Sequence, residues 1–343
     1  MIEEKASEIH AINQENLSKE KLASAVKNVQ KSRINSEYRP TIRKLTLFSA
    51  LPQQALLSQL ESGFIAEPND KEKIQMLWQN ASNAYNRGSP SRSFITQDDI
   101  KQLIDVEQSQ IDSILSQVRN YAPYDSHPTS IYNVRISKLI TPQLTINLMR
   151  AKKRVNIKQG MNPQDLFEIV FKPAGKPEPI IRQILGVGPN GGSLLFTSYD
   201  EDIRLHHPPQ YRKIPINEKD TNSPTFESMC LPVGGGLPFA VAYRIQLAPN
   251  ISRLILGNGI HRIHSLAEAG YEWCPLLVCD LIPLEISDPF VELPRSIILD
   301  PNSNPPLITD FLNNNVVIPL DYFTILKTIR LNWNFEQYVT VLR

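Results

Sequence analysis

Apolar positions follow two different periods along this chain, and the change between them divides it. From about residue 41 to residue 120, stretches such as SALPQQALLSQLESGF and KEKIQMLWQNASNAY have apolar side chains every three or four positions, which is typical of amphipathic helices. After NYAPYDSHPTS, segments such as IYNVRISKLI alternate apolar and polar positions, as strands do. The pattern predicts an α+β protein with an all-α N-terminal region, residues 1–122, followed by a mixed α/β domain, residues 123–343.

The 27 prolines and 14 glycines refine this division, because most of the prolines lie in the second part. Proline ends helices and interrupts strand ladders. The α/β domain should therefore contain irregular insertions and short hairpins, chiefly between Lys172 and Pro238, and a proline-rich C-terminal extension. The polar first 36 residues predict one or two exposed helices, and TILKTIRLNWNFEQYVTV predicts a closing strand.

The segment from Thr96 to Val118 has two apolar faces joined by a short turn. Two arrangements fit it: a helix-turn-helix of the kind that reads DNA, and an ordinary helical hairpin. The hairpin is favoured because the segment is rich in carboxylates, which phosphates repel. The apolar positions are Ile100, Leu103, Ile104, Ile111, Ile114, Leu115 and Val118, and the polar positions of the second helix are Gln108, Gln110 and Asp112.

The most site-like feature of the sequence lies between Leu254 and Leu281. An apolar strand runs into Gly257-Asn258-Gly259, whose three residues all tolerate a positive φ. The helix IHRIHSLAEAG follows, and CPLLVC reads as a second buried strand. The helical period places one set of side chains toward the core and another on an open face. The core set is Ile260, Ile263, Leu266 and Ala267, and the open set is His261, His264, Ser265 and Glu268.

This turn has the composition of a phosphate site. A helix N-terminus presents unpaired N–H groups with partial positive charge, and glycines let a phosphate approach them closely. An arginine in the first helical turn can bind phosphate through two parallel hydrogen bonds. The candidate phosphate- or nucleotide-binding residues are Gly257, Asn258, Gly259, His261, Arg262 and Ser265. The alternative is a strand-to-helix connection that binds nothing.

At these residues the sequence resembles the ParB/sulfiredoxin-like superfamily, whose members carry a ParB-like nucleotide-binding domain. The matching segments are Leu256 to Arg262, Ala269-Gly270 and Cys274 to Val278, with a weaker match from Val134 to Arg150. The resemblance implies a protein that binds nucleotide phosphates, with a nucleoside triphosphate and Mg²⁺ as cofactors. If the protein is an enzyme, the resemblance implies a nucleotide-dependent hydrolase, kinase or other phosphotransferase, or a nuclease.

Two departures from the family narrow the expected activity. Sulfiredoxin's catalytic cysteine lies between the motif's glycine and histidine, and Ile260 stands at that position, so sulfinic acid reduction by that route is not expected. Chromosome-partitioning ParB proteins carry a helix-turn-helix after the motif, whereas the candidate segment here precedes it. The alternative function is a non-catalytic DNA-binding or protein-interaction protein that uses its N-terminal helices. No catalytic residue is assigned.

Net charge bears on binding to nucleic acid and membrane, and one cluster of acidic residues and histidines bears on metal binding. Lys and Arg number 36 against 35 Asp and Glu, so the net charge of +1 predicts no global attraction to nucleic acid or membrane. Asp200 to Asp202 with His206-His207 could ligate a metal. A surface loop is the favoured interpretation of that cluster, and we expect no metal site. His206 and His207 are adjacent, and adjacent histidines rarely reach one ion without strain.

Cysteines and terminal segments indicate the cellular compartment. Cys230, Cys274 and Cys279 have neither metal-type spacing nor an even count, which predicts three reduced thiols. The N-terminus has no secretory pattern, and no stretch is long and apolar enough for a membrane span. We therefore expect a cytoplasmic protein with no membrane partner, with homo-oligomer formation through the N-terminal helices left open.

Overall fold

The structure is a computed structural model, and it describes most of the chain from Thr41 to Asn334. The described ranges are 41–62, 64–66, 71–119, 124–154, 157–172, 180–188, 191–198, 203–205, 210–215, 225–230, 233–234, 239–285, 293–324 and 326–334. The helices predicted within the first 36 residues lie outside these ranges. The described residues contain both helices and strands, which confirms the α+β class.

The helices of the described residues are short to medium in length. They are α1 (Gln53–Glu61), α2 (Lys71–Tyr85), α3 (Gln108–Val118), α4 (Leu148–Arg154), α5 (Pro163–Phe171), α6 (Ile260–Glu268) and α7 (Arg295–Leu299). Short 3-10 turns are also present, among them Gln97–Asp99 and Ile308–Leu312.

Strands make up most of the remaining regular structure. They are β1 (Thr41–Thr46), β2 (Phe94–Ile95), β3 (Ile100–Gln102), β4 (Thr129–Arg135), β5 (Leu139–Ile140), β6 (Thr145–Asn147), β7 (Ile181–Gly188), β8 (Gly191–Ser198), β9 (Arg204–Leu205), β10 (Gln210–Pro215), β11 (Thr225–Cys230), β12 (Val233–Gly234), β13 (Val241–Ala248), β14 (Ile251–Asn258), β15 (Trp273–Leu281), β16 (Ile318–Phe323) and β17 (Lys327–Asn334).

A seven-stranded mixed sheet forms the centre of the fold. Its order is β2-β14-β13-β15-β4-β3, and β5 also pairs with β14. Strand β13 is antiparallel to β14 and parallel to β15, so α6 connects two strands that lie on either side of β13. Residues 274–279 of β15 are all buried, as a strand covered on both faces should be. The predicted strand, glycine turn, helix and second strand are thereby confirmed.

The predicted all-α N-terminal region is wrong for its described part, because β1, β2 and β3 lie within it beside helices α1 to α3. Strand β1 pairs with β6 and β16, β2 with β14, and β3 with β4. Each of these short strands is stabilised by a partner that is distant in the sequence, which local periodicity does not report. Strands from both sides of residue 122 share sheets, and a domain boundary at that residue stays a prediction.

The first half of the predicted helical pair from Thr96 to Val118 is also wrong. Asp99 accepts hydrogen bonds from the backbone N–H and the hydroxyl of Thr96, at 2.9 and 3.0 Å, which closes a 3-10 turn. Strand β3 follows and aligns Ile100 with Val134 of β4. Ile104, assigned to a buried helical face, is 72% exposed. The second half is confirmed as helix α3.

The segment between Lys172 and Pro238 contains strand pairs, as its pattern predicted. Strands β7, β8 and β17 form a three-stranded sheet, β10 pairs with β11, and β9 pairs with β12. Strand β17 begins at Lys327 and confirms the predicted closing strand.

Candidate functional site

The turn between β14 and α6 begins helix α6 at a left-handed glycine. Gly259 has φ 96° and ψ 13°, and no side chain caps the helix that it precedes. Its carbonyl accepts hydrogen bonds from the N–H groups of Arg262 and Ile263 at 2.9 and 3.0 Å. Gly257 is exposed, and Asn258 and Gly259 are half-buried. The turn before α6 is therefore partly exposed to solvent, whereas the first turn of the helix is buried.

Gly259 is needed here for the protein's own packing as well as for its backbone angle. A Cβ at this position would lie 2.6 Å from the Cβ and 3.0 Å from the Cα of Ala240. The Asn258 amide donates to the Phe239 carbonyl and holds this neighbouring segment in place. Ala240 therefore fills the side of Gly259 that a Cβ would occupy.

Arg262, predicted as a phosphate-binding residue in the first turn of α6, is buried. Its side chain is 3% exposed, and its Nη1 donates to the Val170 carbonyl in the last turn of α5. Its Nη2 lies 3.6 Å from the place that a Cβ on Gly259 would occupy. The guanidinium therefore lies between the glycine turn and the carboxyl end of α5.

His261 is also buried, at 6% exposure, and joins α6 to the start of α4. Its Nε2 accepts a hydrogen bond from the Asn147 N–H at 3.2 Å, which requires the ring proton to be on Nδ1. The Asn147 side chain in turn accepts from the Arg150 N–H at 3.1 Å. Ser265 donates to the His261 carbonyl at 2.9 Å, a bond within its own helix.

The predicted open face of α6 is wrong for His261 and His264, which are buried, whereas Glu268 is exposed as predicted. Helix α6 contacts α4, α5, β6 and the 3-10 turn Ile308–Leu312, so neighbours cover the side opposite the central sheet. His264 is 1% exposed and meets the Phe311 ring edge-on at 6.0 Å. Within the described residues neither ring nitrogen has a hydrogen-bond partner. Burial lowers the pKa of His264, so the ring is held neutral.

Arg253 on β14 is a second buried arginine, and the sequence analysis did not select it. Its guanidinium donates to the carbonyls of Ile298, Asp300 and Ser303 at 2.6, 2.9 and 2.8 Å, and to the Ser93 hydroxyl at 3.1 Å. Burial lowers its pKa to about 10, which leaves it charged at neutral pH. An arginine inside an apolar strand, with no carboxylate at strand or helix spacing, is the sequence signal that could have identified it.

The other groups considered for chemistry are spread apart or lie outside the described ranges. Residues 199–202 and 206–209, which contain the acidic and histidine cluster, are outside them. In the part of the chain that the structure describes, no group of three or more His, Cys, Asp and Glu is placed to hold a metal ion. Glu268, at the end of α6, is exposed. We therefore assign no metal ligands.

Comparisons with known proteins add no relative to this description. No protein-family model matches the chain, and neither a curated protein nor a solved structure matches it. Among the helices of the described residues, none is long and apolar enough to cross a membrane.

Proposed function

We propose that the protein binds the phosphates of a nucleotide at the β14–α6 turn, in the manner of the ParB/sulfiredoxin-like superfamily. The observation that carries this proposal is the position of the Arg262 guanidinium, whose Nη2 lies 3.6 Å from the place that a Cβ on Gly259 would occupy, at the start of a helix that no side chain caps. A cation and a helix N-terminus thus meet at one glycine, and both attract a phosphate.

The binding mode follows from the donors at this turn. The N–H groups that begin α6 carry the positive end of the helix dipole, and Gly257, in the strand before the turn, is exposed. Arg262 would supply a charged donor, since its guanidinium has five N–H groups. His261 and Ser265 contribute indirectly to phosphate binding, because their hydrogen bonds hold the start of α4 and the first turns of α6.

The proposed ligand is a nucleoside triphosphate with Mg²⁺. If the protein is catalytic, a nucleotide-dependent hydrolase or phosphotransferase fits a site built to hold phosphates. Ile260, at the position of the sulfiredoxin cysteine, has a hydrocarbon side chain and supplies no nucleophile. The proposal includes a cytoplasmic location, which the buried, reduced thiols of Cys274 and Cys279 support.

The DNA-binding alternative has less support than the nucleotide proposal. It was motivated by two helices from Thr96 to Val118, and residues 97–102 instead form a 3-10 turn and a strand. A role for the N-terminal region, residues 1–122, in binding a protein partner or a second copy stays a prediction.

Thermal unfolding in the presence of nucleotides tests the proposed function. ATP, CTP, GTP and their diphosphates are added with Mg²⁺ to the full chain, and Tm is followed by fluorescence. We expect at least one triphosphate to raise Tm, because a ligand at one hundred times its Kd stabilises the folded state by about 2.7 kcal/mol. The increase should be largely lost in Arg262→Met.

A matched variant separates loss of binding from loss of a positive charge. Arg43→Gln removes an arginine from β1, where it pairs with Asp321 at 2.8 Å and is half exposed. This variant should keep the full nucleotide response, and circular dichroism should show that Arg262→Met is folded at the assay temperature. Absence of a Tm increase with all six nucleotides would refute the proposed function.

A further inference from the structure

The Arg262 guanidinium contacts two parts of the protein, and a ligand that took over one of its hydrogen bonds would change the other part. Nη1 donates to the Val170 carbonyl of α5, and Nη2 borders Gly259 at the start of α6. We propose that Arg262 exchanges partners when a ligand binds, leaving Val170 for the ligand's phosphate, and that this releases the last turn of α5. The inference rests on the nucleotide site proposed above.

The Val170 carbonyl is a weak substitute for a phosphate. Val170 lies in the last turn of α5, where carbonyls have no partner within the helix and carry the negative end of the helix dipole. A buried guanidinium needs such an acceptor, because an unpaired charge is costly inside the protein. A phosphate carries full negative charge and accepts two parallel hydrogen bonds from arginine, so it competes effectively for the same group.

The two ends of α5 are held by different contacts, so a change of partner by Arg262 should loosen only one end. At its start, the Asn162 side chain accepts from the Asp165 N–H at 2.8 Å, and the Met161 N–H donates to the Tyr271 hydroxyl at 2.8 Å. Gln164 also donates to Gln110 of α3 at 2.8 Å. These bonds do not involve Arg262, so they remain when Arg262 changes partner.

At its carboxyl end, α5 depends on Arg262 and on apolar packing. Phe167, Val170 and Phe171 are buried, which keeps the body of the helix on the protein. The last recorded backbone bond is from the Lys172 N–H to the Glu168 carbonyl at 2.7 Å. Without the Arg262 bond, this final turn loses the charged donor to its Val170 carbonyl, while Val170 and Phe171 keep their side chains buried. The expected change is therefore fraying of one turn, not detachment of α5.

Coupling of this kind is reciprocal. If ligand binding loosens the last turn of α5, then a tightly held last turn weakens ligand binding by the same factor.

Amide hydrogen exchange on the full chain tests the exchange of partners. Wild type is measured alone and with Mg²⁺ and the triphosphate that gives the largest Tm increase, and Arg262→Lys is measured alone. We expect peptides that cover Val170 to Lys172 to exchange about tenfold faster in both the liganded wild type and the free variant, since a hydrogen bond to a charged group is worth roughly that factor. Peptides at the start of α5 should not change.

Lys172→Gln is the matched control, because it alters charge in the same turn without affecting Arg262. Lys172 pairs with Glu168 at 3.7 Å, and both side chains are exposed. The control should exchange within about twofold of wild type, as expected for a surface pair. Unchanged or slower exchange at Val170 to Lys172 in a nucleotide-saturated protein overturns this inference and leaves the proposed function standing. Failure of all the nucleotides to bind overturns both.

Discussion

Strand β14 and helix α6 together carry two buried arginines with different surroundings. Arg253, in the strand, is fully buried and donates to three main-chain carbonyls of residues 298–303 and to the Ser93 hydroxyl. Arg262, in the first turn of the helix, has Nη1 on the Val170 carbonyl and Nη2 beside an exposed glycine turn. One guanidinium is enclosed by the loop it organises, and the other lies next to solvent-accessible backbone.

The difference teaches that burial alone does not tell a structural arginine from one at a site. Arg253 has its donors committed to groups that no ligand can reach, so its role is to hold the chain after α7 against the central sheet. Arg262 lies at the start of a helix, where anions are attracted whether or not the guanidinium takes part. The two arginines differ in how easily an acceptor on a ligand could replace the acceptor that the protein provides.

Replacing Arg253 should have the largest effect on stability. Arg253→Met leaves the carbonyls of Ile298, Asp300 and Ser303 without their charged donor, and each buried unsatisfied acceptor costs about 1–3 kcal/mol. We expect the free energy of unfolding in urea to fall by about 3 kcal/mol or more. Arg262→Met should cost less, about 1–2 kcal/mol, while abolishing the nucleotide response.

Equal losses of stability in the two methionine variants would contradict this comparison. Arg253→Lys serves as the control for charge, because it keeps the cation but cannot reach several carbonyls at once. Its stability should lie between those of wild type and Arg253→Met.

Replacing Gly259 should cause an intermediate loss of stability, and it tests the packing of the glycine turn beside Arg262. Gly259→Ala places a Cβ 2.6 Å from that of Ala240 on backbone with φ 96°, and we expect a loss of about 2 kcal/mol or more. Gly270→Ala is the matched control, since Gly270 has φ 86° but nothing within 4 Å of the added Cβ. It should cost about 1 kcal/mol. The difference in urea midpoints isolates the contact with Ala240, and equal midpoints would refute its importance.

Replacing His264 should have the smallest effect at neutral pH and a growing one in acid. Its pKa is lowered by burial, so the unfolded chain takes up a proton at a pH where the folded chain does not. The neutral ring's contribution to the free energy of unfolding is fully present above the histidine pKa in the unfolded chain, about 6.5. It is lost as pH falls below that value. His264→Phe should therefore lose less Tm than wild type between about pH 7 and pH 5.

His127, a histidine in a different environment, provides a control for the predicted loss of stability at acid pH. His127 is half-buried and pairs with Glu285 at 2.8 Å, so His127→Gln should not reduce the acid loss. Among charged groups, Glu268 on the same helix acts on His264 and raises its pKa, against the larger lowering by burial. An identical pH dependence in wild type and His264→Phe would show that the ring does not control acid stability.

Much of the central unit was predictable because its signals are local. The apolar run from Cys274 to Cys279, the paired glycines and the 3.6-residue period of α6 all arise from neighbouring residues. The predicted helix after Thr96 failed because β3 is stabilised by β4, a partner about thirty residues away. The open face assigned to His261 and His264 failed for a similar reason, since the period shows which face is apolar but not what covers the polar one.

The sequence by itself determined the strand, the left-handed glycine turn, the helix and the next strand, because backbone preference and hydrophobic period act over short distances. It also placed an arginine in the first turn of α6. Tertiary structure alone decided where that arginine's guanidinium goes, because it brought the Val170 carbonyl of α5 to Nη1 and placed Ala240, just before β13, against Gly259. The physical reason is that a buried charge takes whichever acceptor the packed fold brings within reach, and that choice is made by residues far apart in the chain.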